Sequence, residues 1–326
     1  MIKKISTLAA AVGFALAAIG SNSAFATYPE KPISVVVPFA AGGPTDVVAR
    51  SLAQVMGTQL KGSMIVENVG GAGGTIGAGK VARAPGDGYT LLFHHIGMST
   101  APSLYRKLDF KPLEDFIPIG AVVDVPMTII AKPTMAQTNA KDLIAFVRAN
   151  KDKINLANAG VGSASHLCGL LLQNAMKTDL TTVPFSGTGP AMTALLGGNV
   201  DLMCDQTTNT SGQIKGGKVK AYAVTSKGKL ANFPELPPLG SELPGFEVGV
   251  WHILYAPKNT PADVVTKLQT SLQAAMKDSG FVAKMKDLGA EIMPADRQNS
   301  AGAKALLTSE IAKWSPIIQA AKAYAD

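Results

Sequence analysis

Scarcity is the first informative property of this 326-residue chain. It has two cysteines, four histidines and an aromatic content of 6%. Beyond its first residues it has no apolar segment long enough to span a bilayer. Its basic residues are scattered, with groups at 151–153, 215–229 and 277–286 that hold a single aromatic each at most, which argues against a nucleic-acid surface. Catalytic signatures are missing too. No G-x-S-x-G elbow occurs. Gly74 to Lys80 starts like a phosphate-binding P-loop, but Val81 stands where Mg²⁺ coordination needs Ser or Thr. Gly71-x-Gly73 fails the dinucleotide fingerprint at Ile76, and His94-His95 lacks an H-E-x-x-H partner. No set of nucleophile, base and orienting group emerges, so neither an enzyme nor a cofactor is expected.

What is present begins with an export signal. Lys3 and Lys4 precede an apolar run over 5–19, and Ala24-Phe25-Ala26 supplies an A-x-A cleavage site. Residues 1–26 are expected to be removed, which leaves an exported, soluble chain in the periplasm. The formal charge of +7 then loses two lysines, a modest excess that reads as solvated surface. In an oxidising compartment Cys168 and Cys204 suggest a disulfide. Two buried thiols are the alternative. A metal site with His166 finds no fourth ligand and matches no zinc spacing, so no metal is expected.

Apolar runs alternate with helix-like segments. Strands are predicted at 33–37, 64–67, 89–93, 154–157, 182–185, 200–203, 219–225 and 248–256. Helices are predicted at 44–60, 75–84, 163–176 and 190–196, with a helical tail over 261–277, 280–288 and 300–325. Such alternation predicts α/β layers with mostly parallel sheets. The pattern stops near 110–118 and restarts near 154, which suggests two lobes. The run at 248–256 would carry the chain back to the first. The expected division is 27–125 plus 250–326 for lobe 1 and 126–249 for lobe 2.

Four strand-to-helix loops share one construction: PFAAGGPTD (38–46), NVGGAGGTIGAG (68–79), ANAGVGSASHL (157–167) and VPFSGTGPAMT (183–193). Each passes through glycine and enters a helix at a plausible cap: Pro44 at the first helical position, Thr75 and Ser163 as N-caps, Pro190 at the first position. A helix N-terminus presents unpaired N–H groups and a partial positive charge, and glycine lets a ligand approach the backbone. None of the four loops contains Lys or Arg. An anion held there would be held by amides, hydroxyls and water. One such loop reads most simply as a capped turn; two in each lobe point to a ligand site.

The chain from Tyr28 almost to its end resembles the Bug-type periplasmic solute receptors of tripartite tricarboxylate transporters. The resemblance rests on YPEKPISVVVPFAAGGPTDVVARSLA, VENVGGAGGTIGAGKVARAPGDGYTLL, NAGVGSASHL, VPFSGTGPAMTALLGGNVDLMCD and APKNTPADVVTKL, with EIAKW ending at Trp314. It implies a type II periplasmic-binding-protein fold, α/β and two-lobed, with a ligand cleft between the lobes. It also implies a small carboxylate ligand, integral-membrane transporter subunits as partners, and a monomer. Carried over by position, Phe39, Gly42, Gly43, Thr45 and Asp46 would form the first loop of the site, and Ala72, Gly73 and Thr75 the second. Ser163, Ser165 and His166 would reach in from lobe 2 beside Ser186, Gly187, Thr188 and Asp205. His95, at the end of its strand, faces the same cleft or packs; His252 reads as a core histidine. Departures bear on the ligand. Val69-Gly70 stands where many relatives have Arg-Pro, Phe185 where Tyr is common, and Ser186 where a basic residue is common. Asp46 and Asp205 would repel a bare dianion, which favours a ligand with an ammonium or hydroxyl. Two other readings use the same features: a sensory protein serving a membrane kinase, and an exported enzyme with His166 or His95 as base.

Overall fold

The computed structural model describes residues 28–321 together with Tyr324 and Ala325; the export signal expected at 1–26 lies outside the described residues. The chain opens with β1 (Ile33–Val37), whose ISVVV run is buried on nearly every side, as β-branched residues in a parallel sheet covered on both faces should be. Then come α1 (Pro44–Leu60), β2 (Met64–Asn68), α2 (Thr75–Ala82), β3 (Thr90–His95) and α3 (Gly97–Leu104). Strand β1 pairs in parallel with β2 and β3. Helix α1 begins with Pro at its first turn and ends where Lys61 turns left-handed at φ 54°, an αL stop.

A 16-residue strand follows, β4 (Phe116–Ala131). Then follow α4 (Ala140–Ala149), β5 (Asn155–Asn158), α5 (Ala164–Met176), β6 (Thr181–Pro184), α6 (Thr188–Leu196), β7 (Leu202–Gln206), α7 (Thr207–Lys215) and β8 (Lys220–Val224). The chain then returns through β9 (Gly249–Pro257) to α8 (Ala262–Ala275), α9 (Ser279–Asp287), β10 (Glu291–Ile292) and α10 (Ser300–Ala321). Strand order along the sheet is β2-β1-β3-β9-β4-β7-β5-β6, with β8 and β10 also on β4. Among the described residues no helix is long and apolar enough to cross a membrane.

The expectation of mostly parallel sheets is corrected here. The outer pairs are parallel, but β4 runs antiparallel to β7, β8, β9 and β10, and β3 antiparallel to β9. The cause is β4. Its first part lies against β9 as far as Pro126 opposite Gly249, and its last residues lie against β7 and β8. One strand therefore belongs to both halves of the molecule. Proline cannot donate to a ladder; near Pro118 the strand absorbs the missing N–H at a register shift. Where β4, β8 and β9 meet, the buried Thr225 hydroxyl accepts from Met127 N–H at 2.8 Å and donates to Val248 O at 2.6 Å. The disulfide forms as expected, joining Cys168 of α5 to Cys204 of β7.

Candidate functional site

The C-terminal end of β1 delivers Pro38 to Pro44 into a cavity of about 570 Å³ between the halves. The loops after β2, β5 and β6 meet it there, so all four glycine loops converge. Phe39, Gly42, Gly43, Thr45, Ala72, Gly73 and His95 line it from one side, and Ser163, Ser165, Ser186, Gly187, Thr188 and Asp205 from the other. Among the described residues that line it, none is Lys or Arg. Helices α1, α5 and α6 start at its walls. Their first-turn amides have no intrahelical partner, so the cavity is positive through its backbone.

Asp46, Thr75 and His166, three of the residues expected here, do not line the cavity. Asp46 is 2% exposed and braces the first loop from behind. Its Oδ2 accepts from Gly42 N–H at 2.9 Å and Arg50 Nε at 2.8 Å, and its Oδ1 from Asn68 Nδ2 at 2.9 Å. Burial alone would raise its pKa; the bonds from Arg50, Gly42 and Asn68 outweigh it and hold the carboxyl below its ordinary value. The Thr75 hydroxyl donates to Ala72 O at 2.9 Å, and Gly74 rather than Thr75 precedes α2 as its cap residue. His166 Nδ1 accepts from Gly162 N–H at 3.3 Å, tying its own loop together. Ser163 does cap α5, accepting from His166 N–H at 3.2 Å. Helix α6 starts at Thr188, so Pro190 is its third residue and not its first.

The histidines are ordered by their backbone contacts. His95 Nδ1 accepts from Gly97 N–H at 3.0 Å, so the neutral ring carries its proton on Nε2 and offers the site a donor. The ring stacks on Phe39 with centroids 4.4 Å apart, and burial, then His94 and His252, push its pKa well down. His252 Nδ1 lies 2.9 Å from Val250 O, and a carbonyl only accepts, so Nε2 is left to receive the Thr45 hydroxyl at 3.1 Å. The core role read for His252 holds, and the Thr45 hydroxyl is engaged by it.

Asp205, 1% exposed, accepts from Asn209 Nδ2 at 2.7 Å. Burial pushes its pKa up to about 7, so near neutral pH it does not present a full negative charge. Three polar lining side chains escaped the sequence reading: Tyr105, Gln206 and Tyr324. Gln206 is 4% exposed, and its Oε1 has no partner among the described residues. Its place directly after Asp205 at the end of a strand was the available signal. Tyr105 and Tyr324 gave none, because the fold brings them in from a helix end and the tail.

The lobes also touch at the cavity rim. Tyr105 Oη donates to Val161 O at 3.2 Å. Gly73, at φ +59°, lies beneath this bond; a Cβ there would sit 2.6 Å from Tyr105 Oη and 2.7 Å from Val161 O.

Comparison with known proteins agrees with this geometry. A protein of Agrobacterium vitis from the ttuE–ttuC' intergenic region is 44% identical over 90% of this chain and 86% of its own. The structure of the periplasmic binding protein BugD is 53% identical, covers 91% of this chain and 99% of that one, and superposes with a TM-score of 0.88. MatC of Rhodopseudomonas palustris, solved with bound malate, is 38% identical over 89% of this chain and all of that one, with a TM-score of 0.85. The family described as the tripartite tricarboxylate transporter family receptor matches residues 48–322, and the chain belongs to it.

Proposed function

We propose that this protein is a periplasmic receptor that takes up a small organic acid in the interlobe cavity and hands it to membrane transporter subunits. The carrying observation is the cavity wall: helix starts from both lobes converge on one space lined by amides and hydroxyls, with no lysine or arginine among the described lining residues. Hydrogen bonds to a charged group contribute roughly 1.5–3 kcal/mol each, so a few amides suffice for micromolar binding. The malate held by MatC supports a carboxylate here. The lobes divide at 125/126 and 249/250 on this reading, close to where Pro126 faces Gly249. Phe39 to Thr45, Ala72, Gly73 and His95 contact the ligand from lobe 1. Ser163, Ser165, Ser186 to Thr188 and Asp205 contact it from lobe 2, while Asp46, Thr75 and His166 hold the loops in shape. Ligand capture involves no turnover.

The test is thermal unfolding of refolded, ligand-free protein against malate, succinate, citrate, amino acids and aromatic acids. A ligand at about a hundred times its Kd stabilises by roughly 2.7 kcal/mol, and each kcal/mol moves the midpoint by roughly 2–4 °C in a chain of this size. A shift of several degrees confined to one class of acid names the cargo. A flat response across the panel would sink the carboxylate reading.

A further inference from the structure

The far end of the chain returns to the cavity. Ala325 N–H donates to Leu104 O at 2.8 Å, and Ala325 forms a parallel bridge with Tyr105. Tyr324 lines the cavity while remaining 44% exposed, which places its ring at the rim and not in the core. The Arg106 guanidinium lies 5.1 Å from the centre of that ring, a cation–π separation. The residue that anchors the tail, Tyr105, is the same one whose hydroxyl bonds across to Val161 of the other lobe. Tail anchor and lobe contact thus share one residue, the first through its backbone and the second through its hydroxyl. Val161, itself 38% exposed, completes an apolar rim with the two tyrosines.

We propose that Tyr324, strapped to Leu104 and Tyr105 by Ala325, is a gating residue of the ligand site that slows escape of the bound acid. This rests on the receptor reading above. The ring narrows the exit on the side where the lobes meet, so a ligand leaves only after the tail peels off or the Tyr105–Val161 contact opens. Entry is affected less, because the open receptor does not yet make that contact. The tail therefore acts mainly on the off-rate, where most differences among related complexes lie.

The experiment is stopped-flow or surface-plasmon-resonance kinetics with L-malate as probe, or with the acid of the panel that shifts the wild type most if malate does not. The variants are Tyr324→Ala, Tyr324→Phe and Ala325→Pro. The proline removes the N–H that holds the tail to Leu104 while keeping the tyrosine itself, so it releases the ring from the rim without deleting it. Tyr324→Ala and Ala325→Pro are expected to dissociate about tenfold faster, with association changed less than about threefold. Tyr324→Phe should stay near the wild type. Unchanged ligand-free melting temperatures separate this from misfolding. Wild-type off-rates in both Tyr324→Ala and Ala325→Pro overturn the gate and leave the receptor standing. A wild type that binds no acid overturns both.

Discussion

His252 shows what a buried neutral group does to pH stability. Burial drives its pKa from 6.5 to about 3, and His94 reaches about 3 by burial and the nearby His252. Below the ordinary value the unfolded chain takes up protons that the native state refuses. Stability therefore falls as pH drops from 6.5 toward 3, by up to about 1.4 kcal/mol per pH unit for each histidine. Asp205 works in the opposite sense. With its pKa raised from 3.8 to about 7, the native state holds a proton that the unfolded chain has lost, and stability falls as pH rises through that window. Urea unfolding from pH 4 to 8 should show a shallower acid-side loss in His252→Gln. Asp205→Asn should steepen the acid-side loss between pH 6.5 and 4, because its opposing contribution is gone. Asp46 carries a different lesson. The family resemblance placed it in the site by position. The competing signal was Arg50, four residues on, where a helix pairs opposite charges. Asp46→Asn faces three donors with one oxygen, so we expect a stability loss of about 2–3 kcal/mol and weaker binding, read by unfolding and calorimetry together.

Gly73 belongs to the scale of elements because it decides how closely two loops approach. An added methyl would strike Tyr105 Oη and Val161 O, and overpacking of this kind costs about 1–3 kcal/mol. That cost arises where the lobes touch. Gly73→Ala should therefore bind about tenfold more weakly while its ligand-free melting temperature moves little; equal loss of stability and affinity would contradict this. The loops themselves were legible because strand, glycine and cap follow one another along the chain. Helix α1 was read over the span it has, 44–60, with Pro44 to open it. Strand β4 was not legible. Proline is unfavourable inside a strand, and the length of β4 is set by partners from distant parts of the chain. Helices α3, α4 and α7 were missed too; α7 runs TTNTSGQIK, whose small polar residues give little apolar periodicity and are buried only by tertiary packing.

At the scale of the whole molecule, the disulfide and the strand order set the behaviour. Cys168 and Cys204 are 36 residues apart, and a bridge over such a loop contributes roughly 3–4 kcal/mol on the chain-entropy model. Reduction, or the paired Cys168→Ala and Cys204→Ala change, should lower the melting midpoint by roughly ten degrees without abolishing binding, because the bridge fastens α5 to β7 inside one lobe. The two-lobed plan was legible from the pause in the strand–helix rhythm. The C-terminal wall of the cavity was not, since no local pattern marks where a tail returns.

Strand β9 lies between β3 and β4 in the sheet. During synthesis β3 ends at His95, and the strand that covers its edge begins at Gly249. The gap is roughly 150 residues, on the order of ten to thirty seconds at the pace of translation. Throughout that interval the nascent first lobe has an unpaired apolar edge, a template for pairing with other chains, while the second lobe gains its last strand at Val224, before β9 is made. The inserted lobe can therefore mature first and the outer lobe must wait, so a holding chaperone has its natural client in the segment from β1 to β3.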